Sequence, residues 1–231
     1  MDWKGREFMK SGFIDPALAQ EDASLLGWKN LFMTIWREIF TLVKANLCFL
    51  LFCIPIVTMP AALCALHGVC VDVVRGRDCK VMGTFLHTIK SQLLQSWAVF
   101  LLLGLLEFIS AYGAWFYFSH CKGNWLLLLM GVFMSGAAVI TYLMISYCYT
   151  MLARVDLTLG KVLKNSFLLT FLNLKFSICS GVITIAVIVL CSLFWLRVFP
   201  LLLLCAFSLV VYFATYFSLF GLEKYVLTEN L

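Results

Sequence analysis

The chain has 231 residues, 63% of them hydrophobic and 13% charged, with a mean hydropathy of +1.00 and a formal net charge of +5. Soluble domains run about 45–50% apolar and about 25% charged, so the balance excludes an ordinary soluble domain and reads as a polytopic membrane protein. The bases lie in short loops between apolar blocks, which makes them markers of membrane orientation and leaves nucleic-acid binding without support.

Residues 1–28 mix acids and bases and lack the apolar core and small-residue cleavage site of a secretory signal. They are expected to remain as a cytoplasmic N-terminal segment. In Trp28 to Lys44 the polar residues Asn30, Thr34, Arg37, Glu38 and Thr41 recur at helical spacing. Leu31, Phe32, Ile35, Ile39, Leu42 and Val43 line the other face, so an amphipathic surface helix is predicted.

Ala45 to Val74 follows as thirty residues with no Lys or Arg, interrupted by Pro55 and Pro60. One crossing needs about 20 apolar residues; one would be overlong here and two would be short. The later apolar blocks are Leu93 to Phe118, Trp125 to Leu152, Ser177 to Trp195 and Phe199 to Phe220. If the run turns at its prolines and crosses twice, fifteen of the seventeen bases share a side and only Lys122 and Arg197 fall opposite. A single crossing reverses every later loop and splits the bases eight against nine. The positive-inside rule therefore selects two crossings, with the turn at Pro55 and Pro60 near the outer interface.

The expected fold is thus all-α: a transmembrane bundle of about six spans, the first two a short Pro-broken hairpin, with both termini cytoplasmic. Residues 29–222 form its single transmembrane domain and 223–231 a cytoplasmic tail. Lys80 to Gln92 and Gly160 to Thr170 are predicted as further surface helices. KVMGTFLHTIK (80–90) and KVLKNSFLLTF (161–171) share enough pattern to raise a duplicated unit of span, surface helix and span. Trp97, Trp115, Trp125 and Trp195 stand at span ends as interface or packing residues.

Glu107 is the one carboxylate deep within a predicted span, and an intramembrane ionisable residue is costly enough to be a functional candidate. His67, in the second arm of the hairpin, is placed at a depth from which it could pair with Glu107 as a proton relay or polar ligand site. Asp72, Arg75, Arg77 and Asp78 make one cytoplasmic charged cluster, and Arg154 with Asp156 another. Either could hold lipid phosphates or a protein partner. The ten cysteines form no CxxC pair and eight lie inside apolar blocks, so they read as packing residues and neither a metal nor another cofactor is expected. No HExxH, P-loop or paired aspartates at metal spacing occur, which argues against an enzyme.

Two stretches carry a resemblance. FLLFCIPIVTMPAALCALHGVCVDVVRG (49–76) and YTMLARVDLTLGKVLKNSFLLTFLNL (149–174) are similar to the two recurring segments of the YesL-like family of bacterial membrane proteins. Met59-Pro60 departs from the family's usual Ile-Gly, and residues 1–28 fall outside the likeness. The family has no established activity. Its members are commonly encoded beside carbohydrate ABC importers, so the resemblance implies a non-enzymatic accessory of sugar uptake in the bacterial plasma membrane, with transporter subunits as partners. The competing expectation is a small secondary transporter or channel with its polar centre at Glu107 and His67.

Overall fold

The computed structural model describes residues 28–77, 79–121, 123–153, 158–193 and 206–227. Asp78, Arg154 and Asp156 lie outside the described residues, as do 1–27 and 228–231 of the two expected tails. All regular structure among the described residues is helical: α1 Trp28–Arg37, α2 Ile39–Cys53, α3 Met59–Val74, α4 Val81–His120, α5 Trp125–Leu152, α6 Leu159–Leu172, α7 Leu174–Leu193 and α8 Phe207–Leu227.

The expected first surface helix is divided at Glu38. Its φ of −104° and ψ of 19° break the helix, and its carboxylate accepts from the Thr41 hydroxyl at 3.0 Å and pairs with Arg37 at 3.3 Å. A carboxylate there also suits the positive end of α2. Leu31 and Leu42 turn into the bundle, whereas Phe32 faces outward with Met33, Trp36 and Phe40. The apolar face of α1 is therefore only partly covered.

Proline chemistry shapes the next turn. Pro55 has no N–H to extend α2 and leads into a 3-10 turn, Ile56–Thr58, whose Thr58 hydroxyl donates to the carbonyls of Pro55 (2.9 Å) and Phe52. Pro60 then sits in the first turn of α3, where its missing N–H costs no helical bond. Gly76 closes α3 with φ +63°, a conformation that glycine adopts without strain.

α3 is the central helix, packed against α2, α4, α5 and α8. Ala61, Ala62, Ala65, Leu66 and Val69 are fully buried, with Phe85, Tyr149 and Tyr212 on the neighbouring helices. α4 and α5 make the most extensive helix contact. Met134 lies 3.4 Å from the Cβ position of Gly113, and the Phe118 ring 3.0 Å from that of Gly131, so the two helices run antiparallel in close approach.

One expectation is corrected. Lys80–Gln92 is not a separate surface helix followed by a span from Leu93; both belong to the uninterrupted 40-residue α4, about 60 Å long. No proline or paired glycine stands between them to break the backbone ladder. Its counterpart in the suggested duplication, α6, does end separately, at Asn173. Three stretches among the described residues are long and apolar enough to cross a membrane: Ile56–Val74, Val81–His120 and Trp125–Leu152.

Candidate functional site

His67 lies on the buried side of α3, where α5 and α8 converge. Its Nδ1 is 3.1 Å from the Thr215 hydroxyl and 3.3 Å from the Thr150 hydroxyl, and its ring stacks on Tyr149 with centroids 5.8 Å apart. Thr150 also donates to the Ser146 carbonyl at 2.8 Å, and Ser218, 3.4 Å from Thr150, donates to the Thr215 carbonyl at 2.9 Å. The result is a polar knot that ties three helices together by hydroxyls and one imidazole. Among the described residues it contains no carboxylate and no fixed cation. The adjoining cavity, about 10 Å³ and lined by Ser146, Ser180 and Ser218 among others, has room for about one water.

Glu107 is elsewhere. The buried face of α4 reads Val81, Phe85, Thr88, Gln92, Ser96, Val99, Leu103, then Ser110 and Ala114, in steps of three and four. Glu107, half-buried, occupies the step between Leu103 and Ser110. Its Oε2 is shielded from solvent without a hydrogen-bond partner. The register that sets Gly113 on Met134 brings Glu107 level with Ile140 and Thr141 of α5. His67 meets α5 at Thr150 instead, nine residues or about 14 Å further along that helix. The structure does not bring Glu107 and His67 together.

At the other end of α3, Asp72, Arg75 and Arg77 surround the Gly76 turn, and the Arg37 guanidinium comes within 3.6 Å of the Cβ position there. Two open clefts adjoin this end, each about 400 Å³, and share Lys80 and Gly83 in their walls. One is bounded further by Asp72, Thr84, His87 and Thr88, the other by Thr41, Lys44 and Cys48. The charged end is thus open while the polar knot is closed. Among the described residues no group of three His, Cys, Asp or Glu side chains is placed to hold a metal ion.

Residues 42–114 match DUF624, a family of proteins of unknown function. The matched stretch runs from Leu42 in α2 through the proline turn and α3 to Ala114 in α4. It contains His67, Asp72, Arg75, Arg77 and Glu107, but not Thr150, Thr215 or Ser218. No curated protein and no solved structure matches the chain.

Sequence reasoning missed the partners of His67, because Ser and Thr are frequent in apolar helices and their pairings span 83 and 148 residues. It also passed over Asn46, the single amide in the thirty-residue run. Asn46 is fully buried, and its Oδ1 accepts from the Ser208 backbone N–H at 3.2 Å, joining α2 to the start of α8. A lone amide in an otherwise apolar run is a signal that could have marked it.

Proposed function

We propose that the chain is a YesL-like, multi-pass protein of the bacterial plasma membrane, with both termini cytoplasmic, that serves carbohydrate ABC-type uptake as a non-enzymatic accessory. In this reading it acts through helix and surface contacts with a transporter partner. The observation that carries it is the contrast between the packed polar knot around His67, whose neighbouring cavity holds about 10 Å³, and the two clefts of about 400 Å³ at the basic end. A protein that moves a solute needs a path through its centre, whereas one that binds a partner needs open surface at its end. The link to carbohydrate uptake rests on the similarity of residues 49–76 and 149–174 to the YesL-like family; the DUF624 match over residues 42–114 is to a family of unknown function.

Affinity purification of the full chain in mild detergent is expected to recover subunits of a carbohydrate importer. Repeated recovery of none would count against the proposal. The transporter reading keeps one observation, the unpartnered Oε2 of Glu107. A Glu107→Gln variant is expected to leave uptake of the cognate sugar unchanged, because the accessory role asks nothing of that carboxylate; a tenfold or greater loss of uptake would favour transport through the bundle instead.

A further inference from the structure

We infer that the Pro-broken hairpin of α2 and α3 does not cross the membrane, and that its exposed apolar tip is a binding surface for the acyl chains of the cytoplasmic leaflet. The tip is formed by Leu51, Ile54, Ile56, Val57 and Met59, with Ile54 76%, Ile56 75% and Val57 62% exposed.

Two independent ties set its height. Trp97 of α4 donates its indole N–H to the Val57 carbonyl at 2.7 Å. From Trp97 to His120, α4 continues for 23 residues, about 35 Å. On the other side, the Cβ position of Gly68 lies 3.4 Å from Ala153, at the very end of α5. From Gly68 back to Met59 is nine residues, at most about 14 Å of height, while α5 rises about 42 Å from Ala153 to Trp125. By either route roughly 30 Å of the α4–α5 hairpin stands beyond the tip, which is the full hydrocarbon thickness of a bilayer.

Composition says which part lies in lipid. From Leu93 to the end of α4 the only charged side chain is Glu107, and α5 has none. Apart from Ser119 and His120 at the end of α4, the outward residues there are apolar, including Leu101, Leu105, Phe108, Leu129 and Phe133. Trp97 stands at one end of this layer and Trp115 with Trp125 toward the other, as interfacial aromatics do. On the tip's own side of Trp97, α4 exposes the polar His87, Lys90 and Ser91 alongside Met82, Leu86 and Leu94.

The apolarity of α3 has a different origin. In its candidate span 67% is buried within the protein, against 22% for α4 and 17% for α5. A helix that is apolar all round is one that is buried, and here protein supplies the burial. The tip is continuous with the level at which the lipid-facing surface of α4 begins. Its occupant is therefore the inner edge of the same acyl layer, entered from the basic side in the manner of an interfacial helix. Zero crossings and two crossings leave the same parity, so the distribution of bases is unaltered.

The test uses the full-length chain in native membranes. A Val57→Cys variant is compared with His120→Cys and with the parent chain, to allow for its native thiols, using a membrane-impermeant maleimide. His120→Cys is expected to label from outside and Val57→Cys from neither face. With bimane at Val57→Cys, exchanging the outer leaflet of inside-out vesicles for brominated phosphatidylcholine is expected to remove about half of the added emission, as for a probe some 5–10 Å into that leaflet. The same exchange on right-side-out vesicles should remove little. Labelling of Val57→Cys from outside, or quenching only when right-side-out vesicles are exchanged, would establish a crossing hairpin. Labelling from the inner face, or no quenching from either leaflet, would remove lipid as the occupant. The inference rests on the orientation proposed above, and the two fail separately: if His120→Cys labels only from inside, the orientation is wrong while quenching still reports which leaflet holds the tip.

Discussion

Replacing Tyr212 by alanine is expected to destabilise the bundle by about 3–5 kcal/mol, the cost of emptying a large buried aromatic site. Tyr212 is fully buried on α8, its ring lies 6.2 Å from that of Tyr216, and its hydroxyl donates across to the Leu31 carbonyl of α1 at 3.3 Å. Truncation would leave a cavity where α8 meets the first helix. Thermal unfolding of the purified protein in one detergent should show a large drop for Tyr212→Ala. Tyr212→Phe removes only the hydroxyl bond and should cost about 1 kcal/mol. Equal effects of the two variants would mean that the hydrogen bond, not the packing, holds α8 in place.

The second large effect is expected at Asn46. Asn46→Leu keeps a side chain of similar size but removes the acceptor for the Ser208 N–H, leaving a buried donor unsatisfied at about 1–3 kcal/mol. Strain from the branched side chain adds to this in a fully packed site. Because the bond joins residues 162 apart, the variant should also loosen the start of α8 selectively. Hydrogen exchange at Ser208 and Leu209 should accelerate while the middle of α5 is unchanged. Unaltered exchange at α8 would deny Asn46 that clamping role.

Much of the architecture can be read directly from residues. The span expected over Trp125 to Leu152 coincides with α5, because Asn124 caps it, its side chain accepting from the Leu126 N–H at 3.1 Å, and the helix stops just after Leu152. The turn after Cys53 follows from proline geometry. Lys80–Gln92 was harder, since an amphipathic pattern looks the same in a surface helix and in the lower turns of a long one. Only the unbroken backbone ladder makes it part of α4. For the site, His67 and Glu107 were visible as polar residues in apolar stretches, but the groups they face were not. His67 is held by Thr150 and Thr215, and which hydroxyls meet it depends on how α3, α5 and α8 cross.

The thirty-residue run from Ala45 to Val74 shows where the division falls. By itself the sequence determined that the protein is helical and that it carries helices long and apolar enough for a membrane, and from its bases it pointed to two crossings through this run rather than one. Tertiary structure alone decided how high the run reaches, through the Trp97 bond to Val57 and the contact of Gly68 with Ala153. The physical reason is that hydropathy records the gain from leaving water, and that gain is much the same whether lipid or protein receives the side chain. Only the packed arrangement shows that most of α3 is received by protein, while the tip beside it stays exposed.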